Sequence, residues 1–496
     1  MNWIELNNLQ TAPLAKVPLL SIETFRKDLL QAVTAGKRVV DFFADREADQ
    51  ALLYAVLADD HLSRLYMAAA VFDRENSYPS MTAEAPMLHL FEREVFEQYG
   101  IEPQGHPWLK PVRRGIAGIS DMEVPYPFMR MKGEQLHEVG VGPVHAGVIE
   151  PGHFRFSCHG EQVYHLEIEL GFQHRGVENL FIRNAEKPNY LLHLAESIAG
   201  DTVIGHGGAF VRACEALEGL MVSRQTRLIR TIALELERIG VHLGDLSALS
   251  GDVAYLTGNN VFGAMRTQII NTSMAICGSR FGRGLLTIGG VNYDISAALK
   301  SKIEATLDDI EEKVELAAEV LFSSSSASAR FEKTGVISTS IARELGLVGP
   351  AARASGLAID VRQDFPFGAY NQFPVHAITL NSGDVFARAY IRYIEIIQSI
   401  RIIREQLQNL DSGELKQISS AKLPPETLVV SLAEGWRGEI SHIAITDIRG
   451  KIKRYRIKDP SYHNWIALAL AVRNEGISDF PLCNKSFNLS YCGFDL

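Results

Sequence analysis

The sequence predicts an α+β protein: a small N-terminal α+β domain followed by a larger helical-bundle domain with peripheral β-hairpins. Three observations predict it. The chain has 496 residues, more than one hydrophobic core usually serves. Its apolar residues recur with period two in some segments and with helical period in others. A stretch rich in proline and glycine separates the two regions.

The first region, to about Gly105, mixes helical stretches with short β-rich runs, Arg38 to Phe43 and Ala51 to Leu57. From Gly105 to Pro127 the chain carries Pro107, Pro111, Pro125 and Pro127, which suits an extended connector. The expected division is therefore 1–110, a linker over 111–130, and 131–496. Between His153 and Leu170, Phe154 and Phe156 share one face, then Tyr164, Leu166, Ile168 and Leu170 share another after a turn at Gly160, the pattern of a β-hairpin.

Three helical stripes follow. Ile229, Ile232, Leu236, Ile239, Leu243 and Leu246 form one, Ile303, Leu307, Ile310 and Val314 another, and Val385, Ala389, Tyr393, Ile396, Ile400, Ile403 and Leu407 the third. Such stripes must cover one another, so a bundle is expected, capped by the hairpin. Thr427 to Ala433, Ile440 to Thr446 and Lys451 to Ile457 read as strands between turns at Gly435, Gly438 and Gly450, and Ser323 to Ser326 as a local loop.

Composition narrows the function. Hydrophobic and charged fractions of 46% and 22% are those of an ordinary globular protein, and a formal charge of −10 argues against general nucleic-acid binding. No basic head and apolar run follow Met1, and Trp465 to Val472 falls far short of the roughly 20 residues that span a bilayer. The five cysteines (158, 214, 277, 483 and 492) show no C-x-x-C spacing, so neither a disulfide framework nor a self-contained zinc or iron-sulfur site is expected.

The run from Tyr78-Pro79-Ser80 to Glu92-Arg93-Glu94, continuing through Tyr99-Gly100-Ile101 to Gly105-His106-Pro107, resembles the thirty-kilodalton-type subunit of respiratory complex I. Gly142-Pro143-Val144-His145, Glu150-Pro151-Gly152-His153-Phe154-Arg155-Phe156 and His174-Arg175-Gly176-Val177-Glu178 look like the start of the forty-nine-kilodalton-type subunit. They equally resemble the large subunit of hydrogenase-3 and hydrogenase-4 (formate hydrogenlyase) type membrane-bound [NiFe] hydrogenases. Glu237-Arg238-Ile239 with His242-Leu243-Gly244-Asp245, Arg280-Phe281-Gly282-Arg283-Gly284, Gly349-Pro350 to Arg353, Asp360-Val361-Arg362 and Gly383-Asp384 to Arg388 continue the match in order. The resemblance implies a fused subunit packed against a [4Fe-4S] small subunit of complex I 20-kDa type and seated on antiporter-type membrane-arm subunits. It also implies a ferredoxin-like subunit in the assembly and a place on the cytoplasmic side of the inner membrane.

In those hydrogenases four cysteine thiolates, in two C-x-x-C pairs, hold nickel and iron. The first pair would fall on Ala199-Gly200-Asp201-Thr202, ahead of His206, and the second on Leu489 and Cys492. One sulfur of four remains, so no nickel and no H₂ activation are expected, and no cofactor bound by this chain alone. Seven of the 15 histidines lie between His145 and His206, but without ligand-like spacing; hydrogen-bonded or solvated side chains are the bland alternative.

By the same resemblance His145 and, more loosely, Tyr190 would meet a quinone-like acceptor as catalytic residues, with Asp201 and His206 supplying protons. Each has a structural alternative, a loop-capping histidine at 145 and a packed helix-start tyrosine at 190. Arg175, Glu178, Arg353 and Asp360 are the candidate cofactor-binding residues, and with Glu196, Glu237, Arg238 and Arg362 they would form a buried charge network. Gly205, Gly207 and Gly208 would admit either a ligand or a close-packed neighbour. No G-x-G-x-x-G fingerprint follows a strand, so any NAD(H) chemistry belongs to an assembled NADH dehydrogenase-like complex. Two functions fit: an oxidoreductase subunit passing electrons to a quinone-like acceptor, coupled to ion translocation, and a non-catalytic coupling or scaffold subunit.

Overall fold

A computed structural model describes residues 2–47, 50–72, 77–113, 126–145, 150–420 and 422–496. Pro125 of the predicted connector lies outside the described residues. The N-terminal region is an antiparallel sheet in the order Ile4–Leu6, Arg64–Phe72, Gln50–Asp59, Arg38–Glu47, with Leu19–Leu20 pairing parallel to Arg64–Phe72. Gln50–Asp59 is central and buried from Ala51 to Ala58, while the helix Ile22–Thr34 packs on Arg64–Phe72 and the helix His89–Tyr99 on Arg38–Glu47. Ser21 caps the first helix by accepting from Thr24 N, and that helix turns Phe25, Leu29 and Ala32 inward.

Four helices make the bundle: Arg224–Asp252, Leu256–Cys277, Ala297–Ser323 and Val385–Gln408. Side chains of Ser223, Ser296 and Asp384 cap three of them, which fixes where each stripe begins. The three predicted stripes are buried as expected except at Tyr393, which is half-buried. Leu256–Cys277 was not among them, because its inward positions include Gly258 and Thr272 beside Phe262, Met265 and Ile269. The serine run is not a loop: the long helix ends at Ser323, Ser324 is extended, and a new helix, Ser325–Phe331, begins at once.

The predicted hairpin forms, as His153–His159 with Gln162–Glu169, and gains a third strand, Leu136–Val141. It does not cap the bundle. Phe154 and Phe156 each stack their rings 4.9 Å from Phe480, and Gln162–Glu169 packs on the helix Ser461–Ala471, so aromatic burial draws the hairpin to the C-terminal helices.

A second sheet runs Ile452–Lys458, Gly438–Thr446, Thr427–Gly435, with its edge completed by Thr11–Pro13 from the far N-terminus. The helix Val203–Glu218 lies on it. A Cβ at Gly205 would stand 2.9 Å from Ile440 Cδ1 and one at Gly207 3.1 Å from Leu286 Cδ1, so these glycines bring the helix close to its neighbours. Among the described residues no helix is long and apolar enough to cross a membrane.

Candidate functional site: a cleft closed by the C-terminal segment

A cleft of about 760 Å³ opens between the hairpin, the Gly200–Asp201 turn, Arg280–Phe281, the tip of the Thr427–Thr446 hairpin and residues 477–492. Several local devices build it. The C-terminal segment is stapled inward by Arg175, whose guanidinium donates to Ser197 O (2.7 Å), Ile198 O (2.9 Å) and Cys492 O (3.3 Å). The backbone N–H groups of Arg175 and Gly176 donate to Leu496 O, and the Asp495 carboxylate accepts from Gly171 N and Gln173 N. Gly200, Asp201 and Cys492 are thereby brought to one cleft wall.

His145 lines the cleft and donates from Nε2 to Gly152 O at 2.9 Å. Asp201 lines it too, with its side chain 34% exposed. Arg437 grips both Asp201 oxygens, at 2.6 and 2.8 Å, while its guanidinium lies 3.9 Å over the Trp436 ring. Arg437 stands at a turn that only glycine permits: Gly438 has φ 131°, and a Cβ there would meet Gly349 N at 2.7 Å.

Cys492 and Leu489 share the cleft wall, and Ala199 and Thr202 lie buried behind the turn. Burial, then the neighbouring Glu150 carboxylate, pushes the Cys492 thiol up to about 11, so it stays protonated at neutral pH. Behind the turn, Glu237 accepts from Ile204 N (2.7 Å) and Gly205 N (3.2 Å) and fixes the start of the Val203–Glu218 helix. Its burial raises its pKa to about 8.

Two predicted catalytic residues stand elsewhere. Tyr190 is 43% exposed on the short helix Pro188–Ala195 and does not line the cleft. His206 is fully buried, because the i+3 spacing from Val203 turns it toward the sheet rather than the cleft. There its Nε2 donates to Asp459 Oδ2 (3.0 Å) and its Nδ1 shares a hydrogen bond with His442 Nε2 (3.1 Å), while His442 Nδ1 shares one with the Tyr455 hydroxyl (2.8 Å). Every ring nitrogen of the pair has a partner, and burial, then the neighbouring His206, holds His442 well below its ordinary pKa.

The predicted cofactor-binding charges are also off the cleft. Glu178 pairs with Arg454 (2.9 Å) and Arg456 (3.3 Å), Arg353 with Glu395 (2.8 Å) and Glu434 (2.9 Å), and Asp360 with Arg362 (2.7 Å), all beneath the surface. Of the charges expected in one buried network, these three with Arg238 and Arg362 lie in two clusters of buried ion pairs off the cleft, whereas Arg175 is exposed and bonds carbonyls and Glu237 accepts from backbone N–H groups. Sequence reasoning missed Glu150 and Arg437 as cleft residues. The available signal was Gly435-Trp436-Arg437-Gly438, a tight turn placing an aromatic and a cation at its tip.

Comparison with known proteins matches residues 19–115 to the respiratory-chain NADH dehydrogenase 30 Kd subunit model and 252–427 to the 49 Kd subunit model. The chain is 28% identical over 461 residues to formate hydrogenlyase subunit 5 of Escherichia coli (strain K12), covering 88% of this chain and 81% of that one. It is 27% identical to hydrogenase-4 component G of the same organism, over 89% and 80% of the two chains. A chain of the membrane-bound sulfane sulfur reductase, an archaeal respiratory membrane complex, superposes with a TM-score of 0.68 at 25% identity, over 73% of this chain and 99% of that one. Of the cleft residues, only Arg280 and Phe281 fall inside a matched segment.

Proposed function

We propose that this chain, a fusion of complex I 30-kDa-type and 49-kDa-type domains, is the redox-cleft subunit of a membrane-associated respiratory complex. In this reading it receives electrons from a [4Fe-4S] small subunit and delivers them to a quinone-like acceptor, coupled to ion translocation through membrane-arm partners. It sits peripherally on the cytoplasmic face of the membrane.

The observation that carries the reading is the chemistry of the cleft wall. The positions corresponding to the four nickel-binding thiolates are Ala199, Thr202, Leu489 and Cys492, and Cys492 is a thiol rather than a thiolate. Such a donor set does not fit a nickel-iron centre, which needs several soft sulfur ligands. It does fit a small organic acceptor: the cleft is within the size range of ligand sites, about 300–1,000 Å³, and mixes Phe154, Phe156 and Phe480 with a few polar groups. Reduction of a quinone to its quinol takes two electrons and two protons at the carbonyl oxygens. Both oxygens of Asp201 are occupied by Arg437, so proton delivery falls to His145 at the cleft mouth, and Tyr190 is left without a catalytic part.

The test is quinone reduction by the purified complex with a low-potential donor. His145→Ala is expected to lower kcat by about 10²-fold, with Tyr190→Phe unchanged and nickel far below one atom per chain. Full activity in His145→Ala, or stoichiometric nickel, refutes the reading. A second reading, a coupling subunit without redox chemistry, is favoured by the buried ion pairs that link the sheet and bundle, such as Arg353 with Glu395 and Glu434. It predicts a complex inactive toward quinone whose ion transport still depends on Arg353. The sulfane sulfur relative makes polysulfide the control acceptor, although a thiol with a pKa of about 11 is poorly suited to attack sulfur.

A further inference from the structure

A second cavity, of about 330 Å³, lies away from the cleft and shares no wall residue with it. It is enclosed by the C-terminal half of the Val203–Glu218 helix, the first turns of Arg224–Asp252, the connection through Met221 and Val222, and Phe367–Gly368. Most of its wall is apolar: Leu220, Val222, Leu234, Leu286 and Phe367. Three arginines and one glutamate interrupt that wall.

Their pairing is unequal. Arg230 and Glu215 meet through two parallel hydrogen bonds of 2.9 and 2.5 Å, Arg230 also donates to Gly290 O and Thr287 O, and Glu215 also accepts from Gly289 N. That pair is electrically and geometrically closed. Arg227 is half-buried at the edge, where solvent screens it. Arg212 has no such relief. Its guanidinium lies 4.4 Å over the Phe367 ring, its Nε and Nη2 are shielded from solvent without a hydrogen-bond partner, and it bonds no described residue. Burial, with the charge of Arg230 beside it, lowers its pKa to about 9, which still leaves it a cation at neutral pH. Two shielded guanidinium N–H groups with no acceptor are a costly arrangement on a half-buried side chain.

We propose that this cavity binds a small organic monocarboxylate, its carboxylate on the guanidinium of Arg212 and its apolar body against Leu234, Leu286 and Phe367. The planar fork of arginine suits a carboxylate, and Arg212, the wall cation with shielded and unpartnered N–H groups, sets the charge at one. The volume falls at the small end of ligand sites, about 300–1,000 Å³, which admits a medium-chain or aromatic acid and excludes a dinucleotide.

Octanoate is the probe, titrated calorimetrically into the full chain, with 1-octanol, octylamine and inorganic phosphate as controls. Saturable binding of octanoate to a single site is expected, with octanol and octylamine not binding and phosphate weaker. Arg212→Gln should weaken octanoate by about tenfold or more, the worth of a charge-assisted hydrogen bond. The variant removes a half-buried charge with no ion-pair partner among the described residues and should melt no lower than the parent. Ala216→Phe, which fills the cavity while leaving Arg212 in place, should also abolish binding. Absence of saturable octanoate binding, equal affinity for octanol, tighter binding of phosphate, or undiminished binding by either folded variant overturns the proposal. None of these outcomes depends on quinone reduction at the cleft.

Discussion

At the scale of single residues, Glu237 gives a stability signature with a definite sign. Its folded pKa, about 8, is above the ordinary 4.5 because burial opposes its charge. A group raised in this way contributes stability below its unfolded pKa and loses it as pH climbs through the folded value. Between about pH 4.5 and 8 the parent should therefore lose stability relative to Glu237→Gln, by on the order of 5 kcal/mol, with the difference levelling off above pH 8. Urea midpoints of both proteins across that range measure it, and parallel pH profiles would disprove it. Residue roles were only partly legible in the sequence. His145, Asp201 and Cys492 stand in motifs whose order carries them to one cleft, whereas Tyr190 and His206 share those motifs and point elsewhere, since a motif gives position along the chain and not side-chain direction. The Gly435–Gly438 turn marks Arg437 as a tip residue, but that the tip and Glu150 meet in one cleft is set by tertiary packing that no local pattern encodes.

At the scale of elements, the helix Val203–Glu218 depends on its missing side chains. A Cβ at Gly205 would come 2.8 Å from Thr202 Cγ2 and 2.9 Å from Ile440 Cδ1, closer than side chains tolerate. Gly205→Val should cost about 1–3 kcal/mol by overpacking and displace the Asp201 turn, so that quinone reduction falls along with the melting temperature. A variant of unchanged stability would show that the helix stands further from the sheet than described. Periodicity revealed the strongly apolar elements because burial of aliphatic stripes dominates their energetics. It missed Leu256–Cys277 and Leu136–Val141: the former buries a glycine and a threonine, and the latter is largely exposed.

At the scale of the whole molecule, the two regions that the sequence separates near residue 110 are locked together by charge. Arg456, on a strand of the C-terminal sheet, donates to Asp41 at 2.9 Å and to both oxygens of Glu94 at 2.9 and 2.8 Å, both acids lying in the N-terminal region. Arg113 also contacts Glu94 and donates to Phe494 O at 2.9 Å. A network closed in this way is worth little against an apolar replacement of the same shape, but removing one member strands the others. Arg456→Leu should therefore destabilise the chain by about 3–5 kcal/mol, because Asp41, Glu94 and Glu178 would then share too few cations in a buried site. Adding Asp41→Asn and Glu94→Gln should recover much of that loss, since neutral amides need no counter-ion. Denaturant unfolding of the single and triple variants decides the matter: a triple variant as unstable as the single would mean that Arg456 acts by packing, and a single variant as stable as the parent would mean that the two regions meet through the Thr11–Pro13 strand and apolar contacts alone.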